Sequence, residues 1–197
     1  DGVIRWSYGC SSGVNVQMIE AKLIPEQLSM EIRLSTPAGP MGFTLPAPGR
    51  HLAHNAMAAV TVALALGLSP AEIVRGIERY TPVGDRLRPI KIGPVSVIND
   101  AYNANPMSMI ASLELLHSLS EHGPVMALLG DMLELGPIEQ TSHKEVLLKA
   151  KELGIQVGCA GPRFKAAAQE LGLTPWKTTD SSSEMAASVL EWLASPN

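Results

Sequence analysis

Aromatic residues and cysteine are both scarce in this chain. Phe, Trp and Tyr make up only 4% of its 197 residues, and only two residues are cysteine. A core with so few aromatic rings must be built from Leu, Val, Ile, Ala and Met. Cys10 and Cys159 lie far apart in the sequence, so the chain is not a disulfide scaffold. We expect two free structural thiols rather than a disulfide or a metal-binding pair.

Long runs of one character are also lacking. No apolar run approaches the ~20 residues that a transmembrane helix needs, and the start has no signal-peptide pattern. The net charge is −4, without a Lys/Arg-rich run. We therefore expect no nucleic-acid partner and no membrane insertion. A nucleotide remains possible, because backbone N–H groups and a few cations suffice to bind phosphate.

The remaining composition is that of a folded protein. The chain is 46% hydrophobic and 17% charged, enough to bury a core. Its length suits one large domain, or one domain and part of another. The chain starts with Asp1 in what looks like a strand, so we expect a piece of a longer protein. We expect that protein to be a monomer.

The first part of the chain predicts strands followed by helices. Residues 3–8, 16–24, 29–35 and 41–45 alternate or run apolar between Gly and Pro residues, which predicts antiparallel strands. Residues 52–66 are rich in Ala and end at Gly67, which predicts a helix. Ser69, Pro70 and Glu72 form a strong start for a second helix, to about residue 80.

Strand and helix alternate after Pro94. Strands are predicted at 94–99, 124–129, 155–160 and 174–178, and helices at 106–120, 138–153, 162–171 and 182–194. Such alternation indicates an α/β fold with a mostly parallel sheet. We place the domain boundary within residues 81–91.

A dense polar cluster follows the first of these strands. Residues 99–106 have the sequence Asn-Asp-Ala-Tyr-Asn-Ala-Asn-Pro, directly before a predicted helix. Ligands bind at the carboxyl ends of strands in open α/β sheets. The sequence Gly-Asp-Met-Leu-Glu-Leu-Gly at 130–136 follows the next strand, so we expect it on the same sheet edge. Taken alone, it could equally be a solvated connection.

Four segments, in this order, resemble the Mur ligase family. They are Gly-Arg-His-Leu-Ala-His-Asn at 49–55, Gly-Asp-Arg-Leu at 84–87, Tyr-Asn-Ala-Asn-Pro at 102–106 and the acidic loop at 130–136. The resemblance runs from about residue 43 to about residue 161. It implies that residues 1–82 are the β-rich and helical tail of a central ATP-binding domain. Residues 83–197 would then be a truncated Rossmann-like C-terminal ligase domain.

The resemblance also implies a function. The last two segments are those of the family member that joins D-alanyl-D-alanine to UDP-N-acetylmuramoyl-tripeptide, with ATP and Mg²⁺, through an acyl phosphate. The expected location is the cytoplasm, or the stroma if the source has plastids. Three alternatives stay open: a sister Mur or folylpolyglutamate-type ligase, a non-catalytic nucleotide-binding module, and a structural or interaction domain.

Candidate nucleotide-binding residues follow from the family motifs. Asn55 occupies the slot of an asparagine that hydrogen-bonds adenine. From its apolar helix face, we expect it to be buried. Arg86 matches an arginine near the ATP phosphates and is the candidate catalytic residue; alone, it could form a surface ion pair. Asp100 would accept from the ribose, although an aspartate there could simply cap a turn. The remaining candidates are His51, Tyr102, Asn103 and Asn105, of which the last two could be turn residues with positive φ.

Candidate substrate residues lie in and after the acidic loop. Asp131 or Glu134 could hold the ammonium group of D-alanyl-D-alanine, and His143 matches a family histidine. From its position alone, His143 is expected on a helix surface. No Gly-x-x-x-x-Gly-Lys-Ser/Thr phosphate loop is present in the sequence. The family's Lys-Gly-Ser segment is missing as well, so we expect this chain alone to be inactive.

Overall fold

The structure is a computed structural model that describes residues 4–82, 84, 87–93 and 95–194. The chain divides into two compact units, Asp1–Asn99 and Asp100–Asn197. Each unit has a hydrophobic core of its own.

The first unit contains a sheet with the strand order β1-β2-β3-β4. Its strands are β1 (Tyr8–Gly9), β2 (Val16–Ile24), β3 (Ser29–Thr36) and β4 (Gly39–Leu45). The pairs β2–β3 and β3–β4 are antiparallel, as predicted. The prediction for 3–8 is wrong, because the strand shrinks to two residues and pairs with β2 in parallel. The side chain of Asn15, directly before β2, accepts from the N–H of Ser7, directly before β1, at 2.8 Å. This hydrogen bond holds the starts of the two strands together.

Two helices cover this sheet. Helix α1 (Arg50–Ala65) contacts β2 and β3, and α2 (Pro70–Glu78) contacts β4. The predicted start of α2 is confirmed, since Ser69 and Glu72 form a reciprocal capping box. Fully buried aliphatic and Met side chains fill the space between helix and sheet: Val16, Ile32, Leu34, Met57 and Val60.

An antiparallel hairpin ends the first unit. Strand β5 (Arg88–Ile92) pairs with β6 (Val95–Asn99), and the turn contains Gly93 at φ +58°. The sequence placed β6 in the parallel sheet, and this is wrong: the chain reverses at Gly93 and β6 pairs with the preceding strand. Residues 99–106 therefore follow a strand of a different sheet from the one that precedes residues 130–136. The domain boundary at 82/83 stays a prediction.

The second unit is the predicted strand–helix alternation. Its elements are α3 (Pro106–Leu119), β7 (Met126–Gly130), α4 (Glu139–Glu152), β8 (Gln156–Ala160), α5 (Pro162–Glu170), β9 (Lys177–Thr179) and α6 (Ser182–Ala194). The strands β7, β8 and β9 form a parallel sheet in that order. This confirms the α/β class and the parallel sheet.

The register of this sheet places two loops at one edge. Gly130 at the end of β7 lies opposite Ala160 at the end of β8. The chain then continues from β7 into residues 131–138 and from β8 into Gly161 and α5. The first loop contacts the end of β8 directly, since Asp131 N–H donates to the carbonyl of Ala160 at 3.2 Å. In the described part of the chain, no helix is both long and apolar enough to cross a membrane.

Candidate functional site

The start of α1 depends on a glycine. Gly49 is the N-cap residue with φ +109°, a conformation that L side chains rarely adopt. A Cβ there would lie 3.0 Å from Cε1 of His51 and 3.2 Å from Cδ1 of Leu87. The first turn of α1 carries no acidic side chain, and no side chain caps it. The positive end of the helix dipole is therefore not compensated by a carboxylate of the helix's own first turn.

Asn55 points to solvent. The sequence predicted a buried amide, and this is wrong, because Asn55 is exposed while its neighbours Ala56 and Met57 face the core. An exposed amide is free of the burial penalty and offers a donor and an acceptor side by side. His51 is half-buried. His54 is exposed, with Nε2 3.9 Å from the Sγ of Cys10.

Asp100 opens the second unit and is engaged by α3. Its Oδ2 accepts from the hydroxyl of Ser112 at 2.6 Å. Sequence reasoning missed Ser112, because a serine one and a half turns into a helix carries no local signal. Tyr102 and Asn103 are exposed beside it.

Asn105 is the N-cap of α3. Its Oδ1 accepts from Ser108 N–H at 3.0 Å, and its own N–H donates to Ser108 Oγ at 3.2 Å. The backbone is extended, with φ −140°. The alternative of a turn residue with positive φ therefore does not apply to Asn105, and it does not apply to Asn103. The amide oxygen that Asn105 would offer a nucleotide already stabilises the helix.

Asp131 caps a helix that starts thirty residues later. Its Oδ2 accepts from Arg163 N–H and its Oδ1 from Phe164 N–H, each at 3.0 Å. Only 9% of the Asp131 side chain is exposed. Helix α5 has Gly161 as its N-cap residue, with no side chain of its own to cap it. The carboxylate from β7 therefore satisfies first-turn N–H groups of α5.

Arg163 joins this cap to the start of α4. Its Nε lies 2.7 Å from Oε2 of Glu139, and its Nη1 lies 3.5 Å from Oδ2 of Asp131. The Glu139 carboxylate, and after it Asp131, raises the pKa of the Arg163 guanidinium. Sequence reasoning missed both Arg163 and Glu139.

His143 is buried, not on a helix surface. The expectation is wrong because α4 turns this face towards the loop and the core, leaving the imidazole 0% exposed. Its Nε2 accepts from Met132 N–H at 3.0 Å, and its Nδ1 lies 2.7 Å from the Glu139 carbonyl. These partners require the neutral imidazole with its proton on Nδ1. The ring also packs edge-on against Phe164, with centroids 4.6 Å apart.

Glu134 differs from Asp131 and His143, because it is exposed. Its backbone has φ +61°, the left-handed region that non-glycine residues seldom occupy. Such a conformation costs of order 1–3 kcal/mol and persists only where the surroundings impose it. The loop therefore presents one acidic side chain to solvent in an imposed conformation.

Three features bear on chemistry elsewhere in the chain. Cys10 and Cys159 are free, as predicted. Burial, and after it the charge of Asp131, raises the pKa of the Cys159 thiol to about 11. The candidate catalytic residue, Arg86, lies outside the described residues. The described residues contain no group of three or more His, Cys, Asp or Glu side chains that could hold a metal ion.

Comparison with known proteins agrees with this architecture. Residues 85–197 match the family "Mur ligase, glutamate ligase domain". The chain is 45% identical over 104 residues to the UDP-N-acetylmuramoyl-tripeptide–D-alanyl-D-alanine ligase of Bacillus subtilis, covering 52% of this chain and 23% of that protein. It is 36% identical over 126 residues to the ligase of the same name from Escherichia coli, covering 64% and 27% respectively.

A solved structure shows the same fold. The crystal structure of MurF from Acinetobacter baumannii superimposes with a TM-score of 0.82 at 34% identity, over 95% of this chain and 40% of that one. The chain thus spans only about a quarter of the length of the curated relatives, 23% and 27%. On the match over residues 85–197, the chain belongs to the Mur ligase family.

Proposed function

We propose that this chain is part of an ATP-dependent amide ligase that adds D-alanyl-D-alanine to UDP-N-acetylmuramoyl-tripeptide during peptidoglycan precursor synthesis. The observation that carries the proposal is the 45% identity to the Bacillus subtilis enzyme of that name. Because the chain covers 23% of that enzyme, the proposal concerns the complete protein that carries this chain.

The reaction we propose couples ATP cleavage to amide formation. The terminal carboxylate of the tripeptide acquires the γ-phosphoryl group of ATP, which gives an acyl phosphate and ADP. The free amine of D-alanyl-D-alanine attacks the acyl carbon, and the tetrahedral adduct collapses with loss of phosphate and a proton. Holding the two reactants in position and excluding water protect the acyl phosphate from hydrolysis.

In the first unit, we propose that Asn55 recognises the adenine base. Its exposure supports this proposal, since the amide is accessible to a ligand. His51 borders the same helix start, whose dipole favours an anion. We propose Arg86 as a phosphate-binding residue, because a guanidinium grips phosphate oxygens with two N–H groups.

In the second unit, we propose that Asp100 accepts a hydrogen bond from the ribose. The hydroxyl of Ser112 donates to its Oδ2 and orients the carboxylate at the start of the second unit. Tyr102 and Asn103 are exposed next to it and are the further candidates for nucleotide contact. Asn105 is a weaker candidate, because capping α3 engages its side-chain oxygen.

For the amine substrate, we propose Glu134 as the residue that meets the ammonium group. An exposed carboxylate attracts a cation, and a charge-assisted hydrogen bond is worth about twice a neutral one. Asp131 and His143 belong to the same loop structure, but both side chains are engaged by the protein itself.

Mg²⁺ is the ion expected for such a reaction, where it would neutralise phosphate charge. The described residues offer no cluster of acidic or imidazole ligands for it.

Phosphate release tests the proposal. The complete protein is given ATP, Mg²⁺ and UDP-N-acetylmuramoyl-tripeptide, with and without D-alanyl-D-alanine. Release that depends on the dipeptide, with formation of the pentapeptide product, is the expected result. Release that depends instead on another amino acid would identify a sister ligase. Nucleotide binding without any release would indicate a non-catalytic module.

A further inference from the structure

We propose that His143 and Asp131 are positioning residues that act through Glu134, and that Glu134 alone of the three contacts the amine substrate. The inference rests on the proposed function for the identity of that substrate. In this proposal, contacts with α4 and α5 hold the loop at residues 131–138 in one conformation.

The first step is the burial of the two supporting side chains. His143 is 0% exposed, and its two ring nitrogens face Met132 N–H and the Glu139 carbonyl. Neither nitrogen is left over for a substrate. The Asp131 oxygens likewise accept from two backbone N–H groups of α5. A ligand that used either side chain would first have to break these hydrogen bonds.

The second step is that the same contacts clamp the loop at both ends. Near its start, Asp131 is fixed to α5 and Met132 N–H to His143. Past its end, Glu139 is fixed to His143 through its carbonyl and to Arg163 through its carboxylate. The side chain of Met132 is 0% exposed, so the start of the loop is also held by packing in the core.

The third step is the conformation of Glu134 itself. With φ +61°, it occupies a region that an unconstrained glutamate avoids. Between the anchored ends, the chain turns back through Leu135, which is half-buried against the core, while the other residues of 133–138 are exposed. The strain at Glu134 is thus imposed by the clamp, and loosening the clamp would let Glu134 relax to negative φ and move its carboxylate.

A matched pair of variants separates positioning from contact. Glutamine in H143Q can place its amide oxygen near the position of Nε2 and accept from Met132 N–H, whereas the shorter side chain in H143N cannot reach it. We expect H143N to raise the KM for D-alanyl-D-alanine about tenfold while the KM for ATP stays unchanged, and H143Q to restore most of the loss. H122N is the control, because His122 is exposed in the same unit.

A double-mutant cycle with E134Q gives the decisive result. If His143 acts through Glu134, the KM for the dipeptide in E134Q/H143N equals that of E134Q alone. If the two effects multiply, His143 contacts the substrate independently and the inference is overturned. The same cycle with D131N tests Asp131.

Amide hydrogen exchange provides a readout that does not depend on activity. In the 197-residue chain, H143N should speed exchange across residues 131–138, and H143Q should return it to the rate of the unaltered protein. Unchanged exchange in H143N would overturn the inference. If the complete protein shows no dipeptide-dependent phosphate release, the proposed function fails, while faster exchange in H143N still supports the clamp.

Discussion

Replacing Gly161 by alanine should destabilise the second unit more than any other single methyl addition at a helix start. A Cβ at this position would lie 2.5 Å from Oδ2 of Asp131, closer than real Cβ contacts allow. The atom it meets belongs to a carboxylate held by Arg163 N–H and Phe164 N–H. The side chain cannot swing away without giving up the cap of α5.

The magnitude follows from two separate costs. The backbone of Gly161 has φ +115° and ψ 157°, and holding a non-glycine residue in this region costs about 1–3 kcal/mol. Losing a carboxylate cap costs about 1–2 kcal/mol. The free energy of unfolding of the second unit should therefore fall by about 2–5 kcal/mol.

Urea unfolding followed by tryptophan fluorescence measures this loss. Trp176 and Trp192 form an edge-to-face pair in the second unit, with ring centroids 6.0 Å apart. The third tryptophan, Trp6, lies in the first unit, so the measurement is made in a Trp6→Phe background, where the emission reports the second unit. Gly172→Ala is the matched control. It also has positive φ, at +60°, but nothing lies within 4 Å of its added Cβ. That variant should lose only about 1 kcal/mol.

The Asp131→Ala background decides whether the cap is the cause. Without the carboxylate, the added methyl group at Gly161 loses its clash with Asp131, so the loss should fall towards the backbone cost. The reasoning is refuted if Gly161→Ala is no worse than Gly172→Ala. It is also refuted if the full loss persists when Asp131 is absent.

Three further outcomes can be checked, two on this chain and one on the complete protein. Cys159, whose thiol pKa burial and a nearby carboxylate raise to about 11, should react with a thiol reagent at pH 8 only after unfolding, whereas exposed Cys10 reacts at once. Because the folded state holds this proton more tightly, the associated stability should fade as pH rises from about 9 towards 11 in urea titrations. Ser69→Ala should cost the first unit about 1 kcal/mol. Hydrogen bonds from Ser69 also lower the pKa of Glu72, so the stability that comes from the ionised Glu72 carboxylate should fade as pH falls below the ordinary glutamate range. Asn55→Ala in the complete protein should raise the KM for ATP and leave the circular dichroism spectrum unchanged, and unchanged ATP kinetics would contradict the adenine assignment.

Signals that act over a few residues predicted their structures well. The capping box of Ser69 and Glu72 is fully encoded in four neighbouring residues, and the structure confirms it. The strand–helix alternation of the second unit is likewise a local pattern of apolar residues and stops. Its boundaries fall within a few residues of the prediction.

The failures concern partners distant in sequence. The hydrophobic run of β6 fits a parallel strand as well as a hairpin strand, and only the turn at Gly93 decides between them. The exposure of Asn55 depends on how α1 is rotated against its sheet. The cap by Asp131 joins residues more than thirty positions apart, a distance at which no capping rule operates.

The loop at 130–136 shows that the number of polar residues in a loop is a poor guide to the number that contact a ligand. Its aspartate caps a neighbouring helix, its methionine is buried in the core, and a histidine beyond it holds the backbone. The contacts of these three residues within the fold explain their presence without a substrate. Glu134 is the exception, because it is exposed and held at a φ that nothing in its own sequence favours. The clamp accounts for the strained backbone, and the exposed carboxylate that it presents is the group that we propose for the ammonium group of the amine substrate.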